Sequence, residues 1–103
     1  MLYHIEKTIF ERHDECQFDV SSKSHIIILP GMPGPVIRIF PLVRYLRAKQ
    51  SNYAVTAIPL GLNVGSFPEI VHAAQKDIEE NLLSKVHVEE LIIFGHSYGG
   101  RVA

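Results

Sequence analysis

Short, continuous apolar runs divide the chain from residue 25 onward. Residues 25–29, 53–60 and 91–94 are rich in β-branched residues, and the first two runs are closed by proline and glycine. Runs of this length and composition are typical of strands that are buried on both faces. We therefore predict three core strands.

The segments between these runs show the spacing of helices instead. Apolar residues recur every three or four positions in two sets, which are Val36, Ile39, Phe40, Val43 and Leu46, and then Ile70, Ala74, Ile78 and Leu82. Pro41 suits the first turn of the first helix, and a capping box at Ser66 begins the second, which we expect to run to about Lys85. Strands that alternate with helices predict an α/β fold with a mainly parallel sheet and flanking helices.

The first 24 residues carry a weaker pattern. Residues 2–10 and 17–20 mix β-forming and polar side chains, which predicts two N-terminal strands with a hairpin through residues 13–15. With 103 residues, we expect one domain, composed of these strands over 1–24 and a βαβαβ unit over 25–103.

Charge, apolar runs and cysteine content indicate which partners and which cellular environment to expect. The formal net charge is −1 and basic residues do not cluster, so we expect no nucleic-acid partner. The uncharged run Ile26–Ile37 is short and broken by Pro and Gly, and the start of the chain lacks the apolar core of a signal peptide. A single cysteine, Cys16, allows no internal disulfide. These features predict a soluble, cytoplasmic protein without a membrane span.

Candidate chemistry follows the third strand. Residues Gly95-His-Ser97-Tyr-Gly99 match G-x-S-x-G, and a further glycine comes next. A serine on a tight strand-to-helix turn needs small neighbours two positions before and after it, because the surrounding backbone crowds that turn. Such a turn presents the hydroxyl to a base and places free helical N–H groups behind it. The pattern therefore indicates Ser97 as a nucleophile.

A second loop, Pro30-Gly-Met-Pro-Gly34, follows the first core strand. The order of strand, Gly/Pro loop, helix, strand, helix, strand and G-x-S-x-G resembles the N-terminal half of the α/β-hydrolase fold. A Gly-x-Asn-x-Gly segment over residues 61–65 is similar to lipase- or esterase-like members, although it also fits an ordinary Asn/Gly turn.

The resemblance implies roles for individual residues. Ser97 would be the nucleophile, and the backbone N–H groups of Met32 and Tyr98 would form the oxyanion hole; Pro33 has no N–H to offer. Pro30 departs from the histidine that many members carry, which affects loop geometry more than reaction type. The glycines of the two loops would be Gly31, Gly34, Gly95, Gly99 and Gly100.

The remaining catalytic groups are not found after the motif. In this family an Asp or Glu and then a His follow the serine, but no Asp, Glu or His follows Ser97. His96 would point away from the hydroxyl, and His72 and His87 fit solvent-facing positions. We therefore expect a hydrolase fragment that is inactive by itself. Neither metal-ligand spacing nor a phosphate loop is present, so we expect no metal and no cofactor.

These observations favour a serine hydrolase acting on an ester or related acyl bond in a small-molecule substrate. The serine disfavours relatives that use an Asp nucleophile. Two alternatives remain: a non-catalytic product, either truncated or used only for binding, and an acyltransferase with the same acyl-enzyme chemistry. We also expect self-association through residues 91–94, an apolar strand with an unpaired edge.

Overall fold

Three parallel strands form the centre of the computed structural model, which describes residues 12–30, 36–59 and 67–95. The strands are β1 (Ser24–Leu29), β2 (Ala54–Ala57) and β3 (Glu90–Gly95), and they lie in the order β2-β1-β3. Ile26 is aligned with Val55 on one side and with Ile92 on the other. The first of the described strands is thus central, and the other two flank it.

Helices cover the two faces of this sheet. A 3₁₀ turn over Val36–Ile39 leads into α1 (Phe40–Lys49), with Pro41 in the first turn where no N–H partner is needed. The second helix, α2 (Phe67–Ile78), continues into one π-helical turn over Glu79–Leu83. The predicted α/β class, with a parallel sheet and flanking helices, is confirmed.

The side-chain alternation of β1 divides the core into two halves. Ile26 and Ile28 belong to a cluster with residues of α1, including Phe40 and Val43. Ile27 and Leu29 belong to a second cluster on the other face of the sheet, with residues of α2 and of the π turn, which are Ile70, Ala74, Ile78 and Leu82. A strand that is buried on both faces is apolar at consecutive positions, as the sequence pattern predicts.

The N-terminal strands are not found in the described region. A 3₁₀ turn over Asp14–Cys16 occupies the predicted hairpin, and residues 17–20 form no strand. Side chains of α1 hold this segment in place: Arg44 Nε lies 2.8 Å from Glu15 Oε2, and Arg47 pairs with Asp14. The prediction for 17–20 is wrong because these distant contacts outweigh local β propensity. Residues 2–10 lie outside the described residues.

The other elements lie close to their predicted bounds, but β2 differs from the prediction in length and β3 differs in burial. The second strand is shorter than the apolar run 53–60, because β2 ends at Ala57. The third strand resembles a buried strand in sequence, yet Leu91 to Phe94 are 37–49% exposed. Within the described part of the chain, β3 has a neighbouring strand on one side only, which leaves these side chains less covered than those of β1.

Candidate active site

The carboxyl ends of β1 and β3 lie side by side. Leu29, the last residue of β1, is aligned with Gly95, the last residue of β3. The chain leaves β1 towards α1 and β2 on one side, and later returns to β3 on the other side. In open parallel sheets, ligands bind outside the carboxyl ends of the strands at the point where the strand order reverses in this way. That point lies between Leu29 and Gly95.

Both predicted loops begin at this pair of strand ends. Gly95 ends β3 and is half-buried, as the first glycine of the G-x-S-x-G motif. The other predicted site residues lie outside the described residues; they are Gly31, Met32, Gly34, Ser97, Tyr98, Gly99 and Gly100. Along the chain, Met32 and Tyr98 each follow their strand end by three positions.

Two histidines lie far from the carboxyl ends of β1 and β3. His25 lies near the amino end of β1, four residues before Leu29, which is about 13 Å at ~3.3 Å per residue. Its imidazole is fully buried, and Nε2 lies 2.7 Å from the carbonyl oxygen of Ser22. His87 precedes the amino end of β3 and is exposed. Neither histidine is positioned to serve as a base at the carboxyl ends of the strands.

The prediction of solvent-facing positions is confirmed for His72 and His87. Asp77, on the same helix as His72, is instead only 7% exposed. Asn81, one turn later, donates a hydrogen bond of 2.6 Å from Nδ2 to Asp77 Oδ1. The π turn that contains Asn81 has no signal in the sequence pattern.

Two carboxylates of the N-terminal segment are held in the ionised form. Burial raises the pKa of Glu15, but hydrogen bonds from its own backbone and from Arg44 outweigh it, so that the pKa is lowered overall. Hydrogen bonds from the hydroxyl and backbone N–H of Ser21 lower the pKa of Asp19. These groups stabilise the segment before β1, and they lie apart from the carboxyl ends of the strands.

An apolar groove of about 370 Å³ runs between α2 and β3. Leu29 and Ile93 form its wall on the sheet, and Val71, Ala74 and Leu83 are among the residues opposite. The groove lies beside an exposed strand, so its surface continues onto β3.

Arg47 has a role that the sequence does not indicate. A basic residue near the carboxyl end of a helix is expected only to interact with the helix dipole. The guanidinium of Arg47 reaches the edge of the sheet, where Nε and Nη2 donate hydrogen bonds of 3.0 and 2.8 Å to the carbonyl oxygen of Val55. At the amino ends of β2 and β3, the hydroxyl of Tyr53 donates a hydrogen bond of 2.6 Å to Glu90 Oε1, which raises the pKa of Tyr53. No local pattern predicts either long-range contact.

Within 12–30, 36–59 and 67–95, no three His, Cys, Asp or Glu side chains are grouped so that they could hold a metal ion. The described helices are too short or too polar to cross a membrane.

Comparisons with protein-family models, with curated proteins and with solved structures found no match to this chain.

Proposed function

We propose that this chain carries the nucleophile and the oxyanion hole of a serine hydrolase of the α/β-hydrolase type, which acts on an ester or related acyl bond. Ser97 is the nucleophile in this proposal, and the backbone N–H groups of Met32 and Tyr98 bind the oxyanion.

One observation carries the proposal: the alignment of Leu29 with Gly95 in neighbouring parallel strands. Neighbouring strands are about 4.8 Å apart, and three residues of chain span at most about 11 Å. Met32 and Tyr98 each follow one of these aligned residues by three positions, so the length of chain allows both N–H groups to reach one oxygen atom, which supports the proposal. An antiparallel pairing, or a third strand between β1 and β3, would have weakened the proposal.

The chemistry requires a nucleophile, a base and donors for the developing charge. Ser97 Oγ forms a bond to the acyl carbon while a base accepts its proton, and the carbonyl oxygen becomes negative. Collapse of this intermediate breaks the bond to the alcohol, which takes the proton from the protonated base, and leaves an acyl group on Ser97. Water then attacks this acyl group, which releases the carboxylic acid and restores the serine hydroxyl. The N–H groups of Met32 and Tyr98 stabilise the oxyanion, an effect worth about 3–4 kcal/mol per donor in such sites.

An external base tests the nucleophile without requiring a histidine from the chain. The protein is incubated with p-nitrophenyl acetate and with imidazole, and the acetylated peptides are identified by mass spectrometry. We expect imidazole to promote acetylation of Ser97. The Ser97→Ala variant should lose this signal, and Ser84→Ala should retain it, because the Ser84 hydroxyl is exposed and bound to a helix carbonyl.

The oxyanion hole has its own matched pair of variants. Met32→Pro removes the N–H group, whereas Met32→Ala keeps it. We expect Met32→Pro to slow acetylation of Ser97 about 100-fold or more, and Met32→Ala to have a small effect. Acetylation scattered over surface lysines and serines, without dependence on Ser97, would contradict the proposal. Binding of the ester without acetylation would favour the binding-only alternative.

A further inference from the structure

We propose that residues 13–18 form a strap that opens away from the sheet as a unit while the strands and helices stay folded. In the closed form the Cys16 side chain is buried against the sheet, and reagents reach its thiol only when the strap opens. This inference is independent of the proposed hydrolase function, because it rests on the contacts that the strap makes with α1 and β2.

The strap passes from one face of the sheet to the other beside β2. Cys16 belongs to the buried cluster on the α1 face, together with Val55. Two positions later, Phe18 packs against the cluster on the α2 face. Between them, the carbonyl oxygen of Gln17 accepts a hydrogen bond of 3.2 Å from Thr56 Oγ1. The strap is therefore anchored to each face by one apolar side chain and to β2 by a side-chain hydrogen bond.

Side chains of α1 hold the first half of the strap. Arg44 Nε lies 2.8 Å from Glu15 Oε2, and the Glu15 side chain is only 12% exposed. Arg47 Nη2 donates a hydrogen bond of 3.0 Å to the carbonyl oxygen of Asp14, and its guanidinium also pairs with the Asp14 carboxylate. Two neighbouring residues of the strap are thus fixed by two arginines of one helix.

Backbone hydrogen bonds of the strap close on the strap itself. The N–H of Cys16 donates to the carbonyl oxygen of His13 at 3.0 Å, and the N–H of Gln17 donates to that of Asp14 at 3.1 Å. In the part of the chain that the structure describes, side chains rather than a ladder of backbone hydrogen bonds therefore join the strap to the sheet. Release of a small number of side-chain contacts is enough to free it.

A tight turn separates the strap from β1. Ser22 N–H donates a hydrogen bond of 3.2 Å to the carbonyl oxygen of Asp19, and Ser21 donates from its N–H and its hydroxyl to the Asp19 carboxylate. The carbonyl oxygen of Lys23 instead accepts a hydrogen bond of 2.8 Å from the N–H of Glu89, next to β3. The turn keeps its own hydrogen bonds when the strap leaves, and contacts with the sheet begin again only after it.

The strap makes fewer apolar contacts than the sheet. Cys16 is buried, Phe18 is half-buried, and the exposed His13 contacts Phe40 with 5.4 Å between ring centroids. In β1, by contrast, every side chain over residues 25–29 is buried. Segments with few buried apolar contacts open at a lower cost in free energy than the core beside them. We therefore expect the strap to open before the sheet unfolds.

Cys16 reports this opening, because it is the single cysteine of the chain and is only 9% exposed. The full chain is treated with an excess of the disulfide of thionitrobenzoate. The Cys16 thiolate attacks this disulfide, forms a mixed disulfide with one half and releases the other half as thionitrobenzoate, which is measured by its absorbance. The rate relative to that of the urea-unfolded chain gives the fraction of molecules in which the thiol is accessible.

Urea separates local opening from global unfolding. Opening of the strap exposes little surface, so we expect the labelling rate to change less than about twofold between 0 and about 1 M urea. Labelling that required global unfolding would instead rise about fivefold or more over the same range, because the whole core would become exposed.

Three variants test the strap and the sheet separately. Glu15→Gln removes the charge that faces Arg44 and should raise the labelling rate about 5- to 10-fold. Its control is Glu80→Gln, which removes an exposed ion pair with Lys76 of α2 and should leave the rate unchanged. Ile70→Val shortens a buried side chain of α2, which destabilises the sheet but should leave the rate within about twofold.

Three results would each overturn the proposal. A rate that rises steeply from the lowest urea concentration, or that increases in Ile70→Val as much as the chain is destabilised, would show that the thiol reacts only after global unfolding. Equal rates in Glu15→Gln and the original chain would show that the contact with Arg44 does not hold the strap. A rate equal to that of the unfolded chain would show that the closed strap does not protect Cys16.

Discussion

Arg47→Ala is the substitution that most directly tests how the sheet is held together. Arg47 lies on α1 and contacts two other parts of the chain: the carbonyl oxygen of Val55 in β2, and Asp14 in the N-terminal 3₁₀ turn. The substitution therefore removes the link between helix, sheet edge and N-terminal segment in one step.

The two contacts differ in strength because they differ in exposure. Asp14 is 81% exposed, so its ion pair with Arg47 contributes only about 0.2–1 kcal/mol. Val55 is 1% exposed, and its carbonyl loses a charged donor, which costs about 1.5–3 kcal/mol. We expect Arg47→Ala to lower the free energy of unfolding by about 2–4 kcal/mol, or Tm by roughly 10–20 °C for a domain of this size.

Thermal unfolding followed by circular dichroism measures this effect. Arg38→Ala is the control, since Arg38 is an exposed arginine that precedes the same helix. Its effect should be within about 0.5 kcal/mol. Arg47→Lys keeps the charge but loses the forked donors, so its effect should be intermediate.

Two results would refute the reasoning. Equal stability of Arg47→Ala and Arg38→Ala would show that the contact with Val55 contributes nothing. A full recovery by Arg47→Lys would show that charge alone, and not the paired donors, stabilises the edge.

Three further predictions concern catalysis and titration. The 103-residue chain should not hydrolyse p-nitrophenyl esters at rates near ~1 s⁻¹, because no Asp, Glu or His follows Ser97 in it. Turnover at such a rate that is lost in Ser97→Ala would contradict this expectation. The pKa values of Glu15 and Asp19 are lowered in the folded chain, so their contribution to the free energy of unfolding should be lost as pH falls below about 4. In urea unfolding measured at a series of pH values, the double variant Glu15→Gln, Asp19→Asn should lose less stability at acid pH than the original chain. Glu90→Gln should lower the pKa of Tyr53 in ultraviolet titration; an unchanged pKa would contradict their hydrogen bond.

The sequence was sufficient for the elements that depend on local spacing. The strand at β1 and the helix at α1 follow from apolar periodicity and from Pro41, since these signals act within a few residues. The same reasoning identifies the G-x-S-x-G segment directly after the third strand. Local spacing does not predict the structure of residues 17–20 correctly. Their side chains favour a strand, but they follow a turn that is held by Arg44 and Arg47, which lie 29 or more positions away in the sequence.

The candidate site required both levels of information. Sequence alone indicates Ser97, Met32 and Tyr98, together with the glycines around them, but it does not show that their two strands are neighbours. The order β2-β1-β3 and the alignment of Leu29 with Gly95 place the strand ends that precede the two loops side by side. Spacing along the chain cannot supply this information, because strand order depends on contacts between distant residues.

Exposure was also decided by the tertiary structure. Residues 25–29 and 91–94 have nearly the same apolar character, yet His25 to Leu29 are buried and Leu91 to Phe94 are exposed. Asp77 shows the converse, as a helix carboxylate that is buried against Asn81. The apolar side chains of a strand or helix show that it could be buried. Whether it is buried depends on the elements packed around it, because exposure is set by neighbouring groups.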